Sequence, residues 1–218
     1  MSSEMIWMLF DSFVDTCIMV GISGLLGSLF GIPLGVLLYA TSAKGIAPMP
    51  ISNQVVGWIV NAVRSTPFII LMVAIIPLTR FIAGTSIGTA GAAIVPLTIA
   101  VTPLIARLVE TSLREVDPGL VEAALAMGAT DYQIISKVLL PEALPGIVAG
   151  LTISFISLIS ASAMAGAIGG GGLGDMGIRY GYQRFMPDVM CAVVVILIAF
   201  VQSIQSLGDW IVLKLRHK

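Results

Sequence analysis

Side chains able to do reaction chemistry are scarce in this sequence. The single histidine, His217, sits in a basic tail between Arg216 and Lys218, and the two cysteines, Cys17 and Cys191, lie far apart inside apolar runs. One imidazole and two distant thiols do not assemble a metal site or a His-centred catalyst; cysteines in such settings behave as small hydrophobes. The chain contains no GxxxxGK[ST] run, so it lacks a phosphate cradle of its own. Gly172, Gly174 and Gly177 do fit GxGxxG. A dinucleotide site would also need a preceding strand, a following helix and an acidic ribose contact, whereas here a long apolar stretch precedes the glycines, which favours a flexible or tightly turning loop. No Asp or Glu is placed deep in the long apolar stretches, as intramembrane hydrolysis would demand. The sequence therefore points to no catalytic residue, no metal and no cofactor. What it does offer is recognition and mechanical contact. Ser154, Ser157, Ala161 and Met164 recur at helical spacing on one face, where they either line a passage for a modest amphipathic solute or pack against another helix. A second informative stretch, EAALAMGATDYQIISKVLLPEALP, runs from Glu122 to Pro145.

The elements that must position these residues are set by solvent. Apolar residues make up 57% of the 218 residues and charged ones 11%, against roughly a quarter charged in soluble domains. So much apolar surface requires lipid as its solvent, and a helix needs about 20 apolar residues to cross it. Charges divide the chain into five such stretches, predicted at about 16–40, 55–79, 85–110, 145–168 and 189–210. The expected fold is an all-α membrane bundle forming one domain. The acidic N-terminal residues Glu4, Asp11 and Asp15 lack the basic character of a secretory leader, so the first stretch is read as a retained span. The second is interrupted by Arg64, placed at an interface where a long side chain can snorkel. Net charge is −1, which gives no reason to invoke nucleic acid.

Basic residues set the orientation. With the N-terminus outside and the C-terminus cytoplasmic, Lys44, Arg64, Arg107, Arg114, Lys137, Lys214, Arg216 and Lys218 fall inside, against Arg80, Arg179 and Arg184 outside. Trp58 and Trp210 then mark the inner boundary, and Trp7, Tyr180 and Tyr182 the outer one. Pro33, Pro67, Pro77, Pro96 and Pro103 each remove a backbone donor inside a span, which predicts a packed and kinked bundle. Gly27, Gly31 and Gly35, four apart, form a stripe for close helix approach, within one subunit or against a second.

The stretch at about 117–144 has a clear local grammar. Asp117 before Pro118 starts a helix, Gly128 stops it, and Thr130 with Gln133 forms a capping box for a second helix that halts at Pro141. The first helix is about ten residues, roughly 15 Å, too short to span. Its alanine-rich surface is smooth and carries no Lys, Arg or aromatic residue, which suits seating in another protein's groove, the other reading being a helix lying on headgroups.

These residues carry a resemblance. Glu122, Ala123, Ala124, Gly128, Ile134, Leu140 and Pro141 match the signature loop of the permease subunits of bacterial ABC importers. RSTPFIILMV from Arg64, IPLTR from Ile76, GTSIG from Gly84 and SAMAGAIGGGGLG from Ser162 resemble the methionine-importer branch of that family, over nearly the whole chain. The resemblance implies a non-enzymatic subunit of the bacterial inner membrane working by alternating access. In that family the loop between spans three and four is a cytoplasmic coupling helix that docks on an ATP-binding subunit. It further implies a homodimer, two copies of the ATP-binding subunit, an external substrate-binding lipoprotein received on the outer face, and methionine of either hand as cargo; on that face Asp175, Arg179, Tyr180, Tyr182, Arg184 and Asp188 form either part of the docking surface or an ordinary solvated loop. Import of another small amino acid or solute is the alternative cargo. A non-ABC secondary transporter is the alternative mechanism, but it would call for inverted repeats or buried ionisable coupling groups, and neither is evident.

Overall fold

A computed structural model of the chain describes residues 3–43, 45–85 and 90–216. Lys44, most of the Gly84–Gly88 run, His217, Lys218 and the Arg216 side chain lie outside the described residues. The described chain is helical: α1 (Ser3–Thr41), α2 (Pro50–Ser65), α3 (Phe68–Ala74), α4 (Ile76–Ala83), α5 (Ala90–Arg114), α6 (Pro118–Ala126), α7 (Asp131–Ile134), α8 (Leu140–Ala165), α9 (Gly172–Met176) and α10 (Pro187–Arg216). Four stretches, Ser3–Thr41, Gly91–Arg114, Asp131–Gly170 and Pro187–Leu215, are long and apolar enough to cross a membrane, and the bent pair α2–α3 makes a fifth.

The bundle is organised around α5. Gly27, Gly31 and Gly35 of α1 lie in order against Val101, Ile105 and Val109, so α1 and α5 run parallel. A Cβ at Gly31 would sit 2.8 Å from Ile105 and 2.9 Å from the Thr102 carbonyl, and one at Gly35 would sit 2.5 Å from the Ala106 carbonyl. The glycine stripe thus serves packing inside one subunit: the two backbones approach too closely for any side chain. On the other side of α5, Gly146 meets Ser112 and Gly150 meets Leu108, which makes α8 antiparallel to it. Gly208 of α10 packs on Thr152 of α8, and Gly177, just before α10, lies near Val193. Met19, Leu97, Val101, Ile105, Val109, Leu139 and Leu158 fill the core between these helices. Large apolar side chains such as Leu25, Leu29, Phe30, Val195 and Ile198 cover the outside, as lipid-facing surfaces require.

Three expectations need correction. The second span is not one rod. α2 starts at Pro50, stops at Ser65, and turns by 106° into α3, because Pro67 cannot donate to the preceding turn and restricts Thr66 to the extended conformation observed there (φ −82°, ψ 124°). Pro77 likewise opens α4. Pro33, Pro96 and Pro103, in contrast, lie within continuous helices. Second, α1 begins well before residue 16: Glu4, Asp11 and Asp15 end the apolar run without ending the helix. Third, the helix after Thr130 does not halt at Pro141. A widened turn at Ile135–Leu139 leads directly into α8, which continues through Pro141 and Pro145. The extra residue in that turn relieves the clash that a proline ring makes with the carbonyl four residues earlier.

Candidate functional site

The loop between α5 and α8 folds as its residues dictate. The Asp117 carboxylate accepts from the Gly119 N–H at 2.8 Å, and Pro118 occupies the first turn of α6. Gly128 takes φ +77°, a left-handed conformation that glycine adopts without Cβ strain. The Thr130 N–H donates to Gln133 Oε1 at 2.9 Å and the Gln133 N–H to Thr130 Oγ1 at 3.4 Å, completing the reciprocal cap of α7. The seven signature residues do not share one surface. Ile134 is fully buried, Ala124 is 4% exposed, and Leu140 is half-buried against the main core. Glu122, Ala123 and Gly128 are exposed, together with Leu120, Ala126 and Met127. Ala124 therefore seats α6 on its own chain, and the outward face is built by its neighbours. A hollow of about 580 Å³ runs beneath α6 between Tyr39, Ile46, Arg114, Val121 and Glu122.

Next to this loop, α5 carries an ionic cluster that sequence reasoning missed. Glu110 is 3% exposed. Its carboxylate accepts from Arg107 Nη1 at 2.7 Å and from Arg114 Nη2 at 2.5 Å. Arg107 Nη2 continues the chain to the Gly57 carbonyl and to Asn61 Oδ1, both at 3.1 Å. Asn53 similarly donates from Nδ2 to the Leu38 carbonyl at 2.6 Å and to Thr41 Oγ1 at 3.0 Å. The start and middle of α2 are thus tied to α1 and α5 by polar bonds. The signal was present in the Arg–x–x–Glu–x–x–x–Arg spacing, which puts all three side chains on one helical face.

The four residues proposed for a path separate by depth. Ser154 is fully buried and donates to the Gly150 carbonyl at 2.9 Å; it packs. Ser157 and Ala161 line a cavity of about 400 Å³ between α8, α5 and the α2–α3 break. Met164 is 46% exposed. The open face of α8 consists of Ile153, Ser157, Ser160 and Met164; Ser160 belongs to it and was not picked out from the sequence, although it shares the same helical spacing. Arg64 lines the same cavity, opposite Ala100, Val101 and Leu104 near the middle of α5 and Ser157 and Ala161 in α8. It is not at an end of the bundle, as the interface reading required.

At the far end of α8, the glycine-rich segment is a tight structure. Gly169, Gly171 and Gly172 have φ of +90°, +79° and +75°. The Leu173 N–H donates to Thr16 Oγ1 at 2.9 Å, fixing α9 onto α1. Beyond it, Arg179 pairs with Asp175 at 2.7 Å and Arg184 stacks over the Tyr180 ring at 4.5 Å. Among the described residues no strand precedes these glycines, which lie between helices as a close-packed cap. The two cysteines are free thiols, and no cluster of potential metal ligands occurs among the described residues.

Comparison with known proteins bears on the whole chain. Residues 31–217 match the family described as binding-protein-dependent transport system inner membrane component. A probable D-methionine transport system permease protein MetI of Vibrio cholerae is 54% identical over 204 residues, covering 94% of this chain and 90% of that one. The D-methionine transport system permease protein MetI of Escherichia coli K12 is 52% identical over 166 residues, 76% of each chain. A solved structure of inward-facing conformations of the MetNI methionine ABC transporter superimposes with a TM-score of 0.96 at 50% identity, over 99% of both chains. An amino acid ABC transporter with histidines shares the fold alone, with a TM-score of 0.78 at 20% identity over 95% of this chain and 94% of that one.

Proposed function

This chain belongs to the family of binding-protein-dependent transport system inner membrane components, and we propose that it is the membrane permease of an ATP-driven methionine importer. The observation that carries this reading is the match to a methionine ABC transporter over 99% of both chains at 50% identity. The fold covered by that match includes a capped nine-residue helix, α6, presented between α5 and α8. The permease works as a homodimer with the path along its two-fold axis, two ATP-binding subunits on the inner side and an external binding protein on the outer side. Its N-terminus is outside and its C-terminus cytoplasmic. The bundle agrees with the alternation this requires: α1, α5 and α10 end together at the α6 end, where Arg107, Arg114, Lys137 and Lys214 gather.

The signature residues divide the work of coupling. Glu122, Ala123 and Gly128, with Ala126 and Met127, make the surface that seats in the ATP-binding subunit. Ala124, Ile134, Leu140 and Pro141 join that surface to α8. ATP-driven closure of the partner subunits pushes on α6, and α8 moves with it, exposing the Ser157–Ser160–Met164 face alternately to either side. The cargo is methionine, of both D and L hand, a reading supported by relatives that are D-methionine transport system permease proteins and by the match to a methionine ABC transporter.

Reconstitution with the ATP-binding subunit and the binding protein tests this reading. Uptake of labelled D- and L-methionine must depend on ATP. Ala126→Glu, on the exposed face of α6, should release the ATP-binding subunit or leave ATP hydrolysis running without uptake. Wild-type uptake by that variant would remove α6 as the point of coupling.

A further inference from the structure

The α2–α3 break leaves a charge where membrane bundles rarely keep one. Arg64, one residue before the end of α2, lies at mid-length of α5 and α8 rather than at the end of the bundle. A guanidinium at the centre of a span is costly by any measure, so such residues face a cavity and mark a ligand pathway. Arg64 does face one. Its cavity, about 400 Å³, is within the range of roughly 300–1,000 Å³ of small-molecule sites. No hydrogen bond or ion pair engages Arg64 among the described residues, whereas Arg107 and Arg114 both hold Glu110. The second free polar group is the Ser157 hydroxyl. Thr152, Ser154 and Ser162 of the same helix all donate to their own helix carbonyls, and Ser157 does not. Thr66 also lines the cavity, but its hydroxyl donates to the Ala62 carbonyl at 3.0 Å; apolar side chains, among them Phe68, Leu71 and Leu104, form the rest of the wall, and no carboxylate among the described residues lines it.

One cation, one unengaged hydroxyl and an apolar wall without an acid form a site with a defined polarity. It matches a small solute bearing an anionic head and an apolar tail. Resting on the import reading above, we propose that Arg64 anchors the α-carboxylate of the amino-acid cargo during its passage, with Ser157 as the second donor and the apolar wall holding the side chain. The guanidinium fork gives a planar carboxylate two parallel hydrogen bonds, which an ammonium ion cannot provide. The anchor also explains the helix break. Pro67 stops α2 just past Arg64, at Ser65, and lets α3 leave at 106°, which opens the space that the cargo head occupies.

The complete transporter in proteoliposomes, with its ATP-binding subunit and binding protein, provides the test. Uptake is measured for methionine and for methionine amide, which differ in the carboxylate alone, in wild type, Arg64→Gln, Arg64→Lys and Ser157→Ala. Substrate-independent ATP hydrolysis and recovery of the intact complex are followed in parallel. Wild-type methionine uptake reports on the import reading; the change in carboxylate preference between wild type and variant reports on the anchor, because the binding protein is the same in both. Arg64→Gln should lower methionine uptake by roughly ten- to a hundredfold, the weight of one charge-assisted contact, and leave amide uptake nearly unchanged, so that the preference collapses. Arg64→Lys should retain the preference at reduced rate, and Ser157→Ala should cost several-fold. Unchanged uptake in Arg64→Gln overturns the proposal. So does an equal fall for both cargoes, and so does loss of the carboxylate preference in Arg64→Lys but not in Arg64→Gln.

Discussion

Removing the Glu110 carboxylate should destabilise the permease more than any surface ion pair would, and the size of the effect follows from who shares it. Its side chain is 4% exposed, that of Arg107 25% and that of Arg114 57%. The Arg114 contact is mostly solvated and contributes at most about 1 kcal/mol. Arg107 is the important partner. Breaking a buried pair from one side costs about 3–5 kcal/mol, because the other charge stays behind. Arg107 would keep two neutral acceptors, Gly57 O and Asn61 Oδ1, which puts Glu110→Ala near the lower end, at about 3 kcal/mol. For a chain of this size each kcal/mol shifts Tm by roughly 2–4 °C, giving a fall of roughly 6–12 °C in a detergent melt. Glu110→Gln keeps the shape and one carbonyl acceptor and should fall between. In a double-mutant cycle, Arg107→Ala with Glu110→Ala should show a coupling of about 1–3 kcal/mol. A Glu110→Ala protein melting within about 2 °C of wild type, with additive single effects, would refute the idea that this cluster fastens α2 to α5.

Four further substitutions test the packing directly. Gly31→Leu would drive a side chain into Ile105 and the Thr102 carbonyl and should cost at least about 1–3 kcal/mol, read as lower yield and Tm. Gly21→Leu, with nothing within 4 Å of its Cβ position, should be close to neutral in the same melt. Thr16→Val removes the acceptor of the buried Leu173 N–H and should cost about 1–3 kcal/mol, whereas Thr16→Ser, which keeps the hydroxyl, should retain most of the stability; equal losses in both would show that the hydroxyl does not hold α9.

The sequence was most legible where local chemistry decides the outcome. Asp117, Gly128, Thr130 and Gln133 each form the cap or stop their residue type predicts, because caps depend on a few neighbouring atoms. The spans were legible in number but not in extent. Apolar length counts residues in lipid, whereas a helix such as α1 continues past Asp15 as long as its backbone bonds close. The π-type widening before Pro141 was not legible, since it needs only one extra residue in a turn and leaves no compositional mark. The glycine stripe of α1 left two partners open because small residues state how close a neighbour comes, not which neighbour it is. Arg64 was misplaced and the Glu110 cluster was missed for a shared reason. Counting charges along the chain shows where a span is interrupted, but the break after α2 and the fork of two arginines give these residues settings that exist only in three dimensions.

Rigid and movable parts of this chain can be told apart by how they are joined. α1 and α5 touch through backbone at Gly31 and Gly35, and interfaces of that kind resist sliding because no side chain can yield. α2 is fastened to the pair by Asn53, Asn61 and Arg107. α8 is different. It belongs to a helical run that starts at Asp131 and holds until the non-helical backbone of Ile168 and Gly169, about 55 Å at 1.5 Å per residue, with α6 packed at one end and the glycine cap held by Thr16 at the other. Between those ends its open face carries Ser157, Ser160 and Met164. A displacement applied at α6 therefore reaches the middle of the bundle without crossing a loop. The widened turn at Ile135–Leu139 is the one point on that run where the regular hydrogen-bond ladder is interrupted before the core is reached. Stiffening it by deleting one residue should rotate the Ser157 face by about 100°, one residue's turn, and abolish uptake while α6 keeps its own caps. Uptake that survives such a deletion would mean that motion enters the bundle by some route other than α8.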